Sequence, residues 1–387
     1  MNLEREFDVL IIGAGVLGLS AAFHLSGKGL RIGVLEQFEL GHPFGSSHGD
    51  SRITRSIYMD PKYFRLIQRA RSEEWPELEE AARRRLIHPN PGCFIGKGNI
   101  FDGFLQSAAV ANLPVRKLDP SEARKRFDAF RFGDDAAVIL DETAGVVAAK
   151  ETMDSLAKLA VERQIAILEN TKALALEPAA GTIRVLTERG EFCAGRLIAA
   201  AGPWMPRLIP QFKEMATPIR QTVGYFQMKG DIDRYRIGRF PVWAHIGDGS
   251  IFYGLPEFGS PGIKVAEHLV QGAGSDPDEN PEPPLSKKEK LIKFVQTQFA
   301  HPIERVVKFE TCMYTVAPKE RFILGPLPGE PRIIAASCCS GHAFKFAPLL
   351  GKIAADLALQ GQTNIAEFEE ARELFSVSPE ELPVQSE

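Results

Sequence analysis

Three glycines near the N-terminus have a spacing that suits the binding of a pyrophosphate. They occur in the segment Gly13-Ala-Gly15-Val-Leu-Gly18. In such a motif the first glycine permits a tight turn, the second lets the backbone approach the phosphates, and the third lets a helix pack closely on a strand. Glu36, which follows Gly18 by 18 positions, can accept hydrogen bonds from ribose hydroxyls and would repel a phosphorylated ribose. The pattern predicts a dinucleotide site, but it does not separate FAD from NAD.

The segments around these glycines must form a strand, a helix and a second strand to position the site. The compact apolar run from Phe7 to Ile12 is typical of a strand buried on both faces. A helical stretch, Leu19–Leu25, is ended by Gly27 and Gly29, and Ile32–Leu35 reads as a second buried strand. This order predicts a Rossmann-like unit whose helix N-terminus faces the phosphates.

A polar loop rich in small and cationic residues follows in an otherwise apolar region. It runs from His42 to Arg55 and includes Ser46, Ser51 and Arg52. Loops of this composition often carry function. The alternative is a solvated connection whose arginines make surface ion pairs, and the loop alone does not decide between the two.

Composition limits the classes of protein that the chain can be. Its 387 residues predict two intimately joined domains, and 44% hydrophobic with 25% charged residues is typical of a globular protein. The net charge of -4 argues against a nucleic-acid partner. Because no segment approaches the ~20 apolar residues of a membrane span, we expect no membrane association and a cytoplasmic location.

The cysteines are odd in number and widely scattered, at Cys93, Cys193, Cys312, Cys338 and Cys339. Their spacing indicates neither a disulfide framework nor a metal site, so we predict no metal. A free cysteine is more often a small buried hydrophobe than a reactive group. Taken alone, Cys312 is therefore open to both interpretations.

Five ordered motifs resemble those of the monomeric sarcosine oxidase and N-methyltryptophan oxidase family, which comprises FAD-dependent amine oxidases of the D-amino acid oxidase superfamily. The resemblance covers nearly the whole chain. It rests on the glycine motif, on Gly45-Ser-Ser-His-Gly-Asp-Ser-Arg-Ile-Thr-Arg55, on Tyr253-Gly-Leu-Pro256 with Lys264, on Cys312-Met-Tyr-Thr315 and on Ser340-Gly-His-Ala-Phe-Lys345. It implies an α/β fold, α+β overall, in which a Rossmann-like FAD-binding domain is interleaved with a substrate domain built on a mixed or antiparallel β-sheet.

The resemblance also implies an activity, a cofactor and partners. Such an enzyme oxidises the C–N bond of a secondary amino acid, N-alkyl or cyclic, to an imine, with FAD as cofactor and with O2 reduced to hydrogen peroxide. The expected partners are the amino acid and O2, and we expect a monomer. A deglycating fructosyl amino acid oxidase, a dehydrogenase with another electron acceptor and a non-catalytic flavin-binding protein are the alternatives. Peroxide yield and bleaching of the flavin by amines would discriminate among them.

The same resemblance assigns roles around the flavin. Lys264 is implied to lie over the flavin ring and promote its reaction with oxygen, and Arg52 is implied to pack against the ring. Ser51 replaces a threonine of some members and keeps the hydroxyl group. The remaining implied catalytic residues are His268 and Tyr314; if the segment around Lys264 is a strand, alternation places His268 on the same face.

A carboxylate-bearing substrate requires a cationic anchor, for which a guanidinium paired with a second cation is suited. Arg55 and Lys345 match the family's pair. Tyr253 and His342 are implied to complete the substrate-binding set.

Residues implied to bind the cofactor are spread over the chain. Cys312 matches the position at which the family forms a thioether to the flavin. Ala173 is implied to lie near the adenine, and Gly202 and Trp204 follow a second strand that contacts the dinucleotide. The remaining predicted cofactor contacts are Gly13, Gly15, Val16, Gly18, Glu36, Gln37, Ser46, Gly341, Phe344 and Lys345.

Each of the two predicted domains is made of segments that are separated in the sequence. Residues 1–90, 145–217 and 310–370 are expected to form the FAD-binding domain, 91–144 and 218–309 the substrate domain, and 371–387 a C-terminal tail. Residues 272–290 read as an exposed loop, and the loop around Gly341 is expected to cap a helix that holds Pro348 in its first turn. Ser337-Cys338-Cys339 and Ala343 depart from the family pattern, which leaves the exact substrate open. We interpret the adjacent cysteines as packing residues.

Overall fold

Three β-sheets and the helices packed on them make up the fold. The computed structural model describes residues 5–96, 98–134, 136–247, 249–375 and 377. The strands are β1 (Glu6–Ile12), β2 (Ile32–Leu35), β3 (Ser51–Thr54), β4 (Ile87–Pro89), β5 (Gly92–Gly96), β6 (Val115–Leu118), β7 (Ala137–Asp141), β8 (Gly145–Ala148), β9 (Ala166–Leu168), β10 (Ala173–Ala179), β11 (Thr182–Thr187), β12 (Gly190–Ala199), β13 (Thr217–Met228), β14 (Val242–Gly247), β15 (Ser250–Leu255), β16 (Ile263–Glu267), β17 (Ile303–Val316), β18 (Ile323–Leu327) and β19 (Glu330–Ser337). The α-helices are α1 (Val16–Leu25), α2 (Pro61–Arg69), α3 (Trp75–Ala82), α4 (Gly98–Val110), α5 (Pro120–Arg126), α6 (Ala149–Glu162), α7 (Met205–Leu208), α8 (Leu285–Gln298), α9 (Ala347–Gln360) and α10 (Ala366–Glu370).

The first sheet has a parallel core in the order β9, β2, β1, β12, β19. The hairpin strand β11 pairs with the first half of β12, and β10 forms the sheet edge beyond it. Helix α1 connects β1 to β2, and α9 packs against α1 in the same apolar core. Parallel strands whose crossover helix covers one face form the Rossmann-like unit that the sequence predicts.

The predicted elements of this unit agree with the structure except at the start of the helix. Both buried strands are present, and their apolar side chains are almost fully buried. The helix begins at Val16 rather than at Leu19, immediately after the second glycine of the motif. The glycine turn therefore leads straight into the first helical turn, which brings the helix N-terminus to the end of β1.

The second sheet has the order β17, β13, β16, β15, β14, β5, β7, β6. Its neighbours are antiparallel except for β14 and β5, which run parallel. The prediction of a mixed or antiparallel sheet is confirmed. The prediction of a loop over 272–290 is wrong at its end, because α8 begins at Leu285 directly after Pro284 and buries Leu291, Phe294 and Val295.

Most strands of each large sheet come from the chain segments predicted for one domain. The first sheet is built from segments within 1–90, 145–217 and 310–370, whereas β13 and β17 cross the predicted boundaries at 217 and 310 and belong to the second sheet over their whole length. We therefore propose the same discontinuous division, with β13 and β17 assigned to the substrate domain.

A small third sheet has the order β3, β8, β4, and its strand β3 contacts β15 of the second sheet. Strand β3 carries Ser51 and Arg52, and its partner β8 leads directly into α6. The predicted C-terminal tail starts within packed structure, because Phe375 is buried and forms a bridge with Phe322. Residues 378–387 of that tail lie outside the described residues. None of the described helices is long and apolar enough to cross a membrane.

Candidate active site

A cavity of about 1080 Å³ extends from the glycine turn after β1 to the inner face of the second sheet. Sites for small molecules and cofactors usually have volumes of roughly 300–1,000 Å³, so this cavity can hold a large ligand. Of the residues that the sequence predicts to act on the substrate or to bind the cofactor, all but Gly18 line it. Segments far apart in the chain thus converge on one space.

The glycine turn forms one end of the cavity. Gly13 has a φ of +100°, and a Cβ there would collide with the carbonyl oxygen of Ala200 on the neighbouring strand end. Gly18 faces away from the cavity, and a Cβ there would collide with the carbonyl oxygen of Gly13. Two of the glycines are therefore required by close backbone packing, whereas a Cβ on Gly15, which lines the cavity, would stand 3.2 Å from Ser47 Oγ.

Glu36, at the end of β2, is buried and holds the turn in place. It is 4% exposed, and its carboxylate accepts hydrogen bonds from the backbone N–H groups of Ala14 at 2.9 Å and Phe38 at 3.0 Å. A carboxylate has about four lone-pair sites, so these bonds leave acceptor capacity toward the cavity. Ribose hydroxyls are donors that such a group can bind.

The start of α1 fits the phosphates of a dinucleotide. Gly15 and Val16 line the cavity, so the positive end of the helix faces it. The Val16 N–H donates to Ser47 Oγ at 3.0 Å, which ties the polar loop to the helix start. The donors, the buried carboxylate and the length of the cavity together suit FAD, which would lie with its adenosine against this end.

The second predicted nucleotide segment borders the same end. After β12 the chain makes a 3-10 turn over Gly202–Trp204, and Trp204 Nε1 donates to Asp278 Oδ1 at 2.6 Å. Ala173, the first residue of the edge strand β10, and Gln37 also line the cavity there.

Two cations, the buried Lys264 and the half-buried Arg52, line the cavity next to each other. Lys264 on β16 is 6% exposed, and its Nζ donates to the Ser51 carbonyl oxygen at 3.2 Å. Arg52 donates to the carbonyl oxygens of Ser46, His48 and Ser51 at 3.0, 2.6 and 2.9 Å. The Arg52 guanidinium also lies 5.4 Å from the centre of the Phe344 ring. Carbonyl oxygens of the polar loop thus hold both charges.

Burial lowers the pKa of Lys264 to about 8, and the positive charge of Arg52 adds to this effect. Cys312, on β17, faces the same space. Burial raises the pKa of its thiol, while the positive charges of Arg52 and Lys264 act in the opposite direction. Two cations beside a thiol favour its thiolate form relative to a cysteine buried in apolar surroundings.

A second pair of cations lies elsewhere on the cavity wall. Lys345 is 4% exposed, and its Nζ donates to Tyr58 Oη at 2.9 Å and to the His342 carbonyl oxygen at 2.5 Å. Arg55 stacks on the Tyr58 ring, with its Cζ 4.1 Å from the ring centre. Burial and then the charge of Arg55 lower the pKa of Lys345 well below its ordinary value. Among the described residues no carboxylate pairs with either cation, so an anionic ligand would relieve their repulsion.

The loop that carries Lys345 is held in place by a hydrogen bond from α3. Trp75, the first residue of α3, donates from Nε1 to the Lys345 carbonyl oxygen at 2.7 Å. Helix α9 starts at Ala347 and has Pro348 in its first turn, as predicted. The expectation that the loop around Gly341 caps this helix is wrong, because a 3-10 turn over Phe344–Phe346 intervenes and Phe346 is the N-cap.

Two tyrosines and a histidine form the wall between the cation pairs. Tyr253 Oη on β15 and Tyr314 Oη on β17 are 3.0 Å apart, although β13 and β16 lie between these strands in the second sheet. His268 lies just beyond the end of β16, and its Nε2 is 3.0 Å from Glu320 Oε2. Gly341, at a φ of +74°, packs against the Tyr314 ring with no room for a Cβ.

Several residues of the cavity wall were not predicted from the sequence. Tyr58, Glu310 and Glu320 each contact a predicted residue or share its surroundings. Tyr58 follows Arg55 by three positions in the chain, and its role depends on a contact with Lys345 that no local pattern reveals. Glu310 precedes Cys312 by two positions, and the period of a strand, which places both side chains on one face, could have identified it.

One part of the cavity wall is apolar and belongs to the second sheet and to helix α4. It consists of the side chains of Phe94, Phe101, Phe104, Ile139, Ala244 and Ile246. Phe94, Phe101 and Ile139 form one buried cluster with Ile57. An organic ligand anchored at Arg55 would therefore have apolar contacts on this side.

The Rossmann-like nucleotide end, the mixed sheet over the cavity and two pairs of cations, each with one buried lysine, are the features of a flavoenzyme site. The sequence pattern of the FAD dependent oxidoreductase family matches residues 8–357, and the chain belongs to that family. It is thus an FAD-dependent oxidoreductase.

Similar proteins include oxidases of secondary amino acids. The monomeric sarcosine oxidase of Streptomyces avermitilis is 32% identical over 376 residues, which are 93% of this chain and 96% of that protein. The N-methyl-L-tryptophan oxidase of Yersinia pestis is 27% identical over 90% of this chain and 94% of its own length. Among solved structures, NikD, described as an unusual amino acid oxidase essential for nikkomycin biosynthesis, has a TM-score of 0.83 at 22% identity, covering 94% of this chain and 97% of its own. L-proline dehydrogenase from P. horikoshii has a TM-score of 0.76 at 18% identity, covering 95% and 96%.

The contacts of Glu36 generate a prediction about the nucleotide end. Replacing Glu36 with Ala leaves the buried N–H of Ala14 and the part-buried N–H of Phe38 without their acceptor, and one buried donor left unpaired costs about 1–3 kcal/mol. We expect the free energy of unfolding, measured in urea, to fall by about that amount, and the binding of FAD to weaken. Glu39→Ala removes an exposed neighbouring carboxylate and should change neither quantity. Equal values for Glu36→Ala and Glu39→Ala would contradict the assigned role.

Proposed function

We propose that this FAD-dependent oxidoreductase oxidises secondary amino acids, N-alkyl or cyclic, at the C–N bond, with O2 as the electron acceptor and hydrogen peroxide as the product. The observation that carries the proposal is the pairing of Arg55 with Lys345 in a cavity that also holds Lys264 and Cys312. A cationic pair without a protein carboxylate suits the carboxylate of an amino acid. The names of the similar sequences, sarcosine oxidase and N-methyl-L-tryptophan oxidase, support the same substrate class.

Binding of the substrate is assigned to the Arg55 and Lys345 pair. A carboxylate between them would accept charge-assisted hydrogen bonds from both and would favour the charged form of Lys345, whose pKa the neighbouring Arg55 depresses. Tyr58 holds both cations in place, by accepting from Lys345 and by stacking under Arg55. This pre-organisation reduces the loss of side-chain freedom on binding.

Orientation of the amine is assigned to the wall of Tyr253, Tyr314 and His268. The hydrogen bond between the two tyrosine hydroxyls leaves further donor or acceptor capacity on each oxygen. Burial raises the pKa of Tyr253 to about 12 and that of Tyr314 well above its ordinary value, so both hydroxyls stay neutral. Neutral hydroxyls can accept from an amine without charging the site, while the apolar wall excludes water.

FAD, when bound, accepts a hydride equivalent from the carbon beside the nitrogen. The residues of this chain supply the electrostatics around it. Lys264 and Arg52 place positive charge in the middle of the cavity, where negative charge develops when oxygen is reduced. We propose that Cys312 holds the cofactor through a thioether, and that the protein acts as a cytoplasmic monomer.

The proposed thioether leads to a test with acid. After precipitation with trichloroacetic acid, the yellow colour of the unmodified protein should stay with the polypeptide. Cys312→Ala should release all its flavin into the supernatant, because only the thioether is removed. Cys193→Ala removes a free cysteine outside the cavity and should keep the colour bound. Complete release of FAD from the unmodified protein would refute the covalent link.

The carboxylate anchor leads to a test with inhibitors. Arg55→Ala and Lys345→Met should each weaken the binding of simple carboxylate inhibitors by about 1.5–3 kcal/mol, since each loses charged hydrogen bonding. Flavin absorbance titrations give the dissociation constants, and Arg65→Ala on the exposed face of α2 is the matched control. Unchanged affinity in both cavity variants would remove them from the substrate site.

The position of Lys264 predicts that the two half-reactions can be separated. Lys264→Met keeps the length of the side chain but removes its charge, so reoxidation of the reduced flavin by O2 should slow by about a hundredfold or more while an amine still reduces the flavin. Because the pKa of Lys264 is about 8 and only the charged form acts, reoxidation in the unmodified protein should slow as the pH rises through that value. Stopped-flow measurement of each half-reaction, with Lys293→Met on α8 as the control, tests both statements. A normal reoxidation rate in Lys264→Met would exclude the assigned role.

The substrate class itself is tested by anaerobic bleaching of the flavin. The panel contains N-alkyl, cyclic and fructosyl amino acids, and peroxide is measured after air is admitted. Bleaching by N-alkyl or cyclic amino acids with a full yield of peroxide is the expected result. No bleaching by any amine would overturn the proposal.

A further inference from the structure

Glu310 brings a carboxylate into the cavity beside the buried cations. It lies on β17, two residues before Cys312, and its side chain is 25% exposed. Its carboxylate accepts a hydrogen bond from Tyr225 Oη at 2.8 Å and pairs with Lys308 Nζ at 2.9 Å. The group is therefore fixed in position on two sides.

The partners of Glu310 form a row across three strands. Tyr225 on β13 is directly opposite Lys264 on β16 and directly opposite Lys308 on β17. Residues opposite each other in neighbouring strands have side chains on the same face, and the Nζ atoms of Lys264 and Lys308 lie 6.0 and 4.5 Å from the centre of the Tyr225 ring. The row leads from a buried lysine to one whose side chain is 41% exposed. Glu310 sits diagonally across from Tyr225 at the exposed end of the row.

The charged groups converge on Gly49, which has a φ of +88°. The point where a Cβ on Gly49 would stand lies 3.5 Å from Arg52 Nη1 and 3.9 Å from both Lys264 Nζ and Glu310 Oε1. The two cations and the carboxylate thus face the same small space. An opposite charge near a partly buried group favours the charged form of that group.

Other charged and titratable groups also face Lys264. Arg52 of β3 disfavours its charge, whereas Asp50 and Cys312 favour it, and His48 and Tyr225 complete the surroundings. Asp50 is held by Ser260, whose N–H and hydroxyl both donate to Asp50 Oδ2. Burial and then Arg52 lower the pKa of His48 to about 4, so this ring is neutral near pH 7.

Glu310 itself is suited to remain ionised. Burial alone would raise its pKa, but the hydrogen bonds from Lys308 and Tyr225, with the charge of Lys264, hold the pKa below its ordinary value. A carboxylate that stays charged over the whole working range of pH is a constant counter-charge for the cations.

We propose that Glu310 is a positioning residue, which keeps the Lys264 amine protonated and is itself held in place by Tyr225 and Lys308. The inference rests on the proposed function only in taking Lys264 as the group that assists oxygen reduction. Glu310 would then set the upper limit of the pH range in which the enzyme is reoxidised efficiently.

The titration of Lys264 tests this proposal without turnover. The holoenzyme is labelled with ε-13C lysine, and the Lys264 resonance is identified by its loss in Lys264→Met. In Glu310→Gln the titration midpoint of Lys264 should fall by about one unit or more, because removing an opposite charge disfavours the ammonium form. Glu310→Asp retains the carboxylate and should restore most of the shift. Glu304→Gln removes an exposed carboxylate from the same strand and should leave the midpoint unchanged.

The pH profile of flavin reoxidation supplies the second measurement. Its midpoint should move with that of Lys264 in Glu310→Gln, so the loss of rate should be large at pH 8 and small at pH 6. An unchanged lysine midpoint in Glu310→Gln, or an equal shift in Glu304→Gln, would overturn the proposal. These results are distinguishable from a failure of the proposed function, because the lysine titrates whether or not any amine reduces the flavin.

Discussion

The burial of positive charge between two sheets is the constraint on which the rest of this structure depends. Lys264 and Lys345 are almost fully buried, and Arg52 and Arg55 line the same cavity. Removing a charge from water is costly unless the protein supplies partners. The polar loop, residues 42–55, supplies carbonyl oxygens as partners to Lys264 and Arg52. Tyr58 and the loop around His342 supply partners to Lys345, which is paired with Arg55. The polar loop cannot be rebuilt without leaving a buried cation unsatisfied.

This constraint requires that segments of both large sheets meet at one site. The polar loop follows directly after the second strand of the Rossmann-like unit, whereas Lys264 comes from the middle of the second sheet. The C-terminal end of the polar loop forms β3, and the pairing of β3 with β8 in the third sheet fixes the loop in position. Cys312 and Glu310 lie on β17, an edge strand of the second sheet, after which the chain returns to β18 and β19 of the first sheet. Each large sheet thus contributes one side of the same site.

The sequence predicted the parts of the site that depend on local pattern. The glycine turn, Glu36 and the buried strands follow from spacing and apolar runs, and ordered motifs identified Lys264, Arg55 and Lys345, which the structure brings to one cavity. The role of Tyr58 could not be predicted, because its contact with Lys345 joins segments that are more than two hundred residues apart in the chain. Helix α8 was missed at its start because the prolines before it masked a helical pattern in the lysine-rich segment that follows. Features of this kind depend on tertiary contacts, which cannot be inferred from a single sequence.

The two cation pairs differ in one respect that bears on how a substrate would lie. Lys264 and Arg52 share their space with the carboxylate of Glu310, whereas among the described residues Arg55 and Lys345 have hydroxyl, carbonyl and aromatic partners but no carboxylate. An amino acid has one carboxylate, which gains most where positive charge is not yet compensated. It should therefore bind at Arg55 and Lys345, and its amine should then point toward Tyr253 and Tyr314. The carboxylate of Glu310 beside Lys264 and Arg52 thus favours the other pair of cations as the anchor for the ligand's carboxylate.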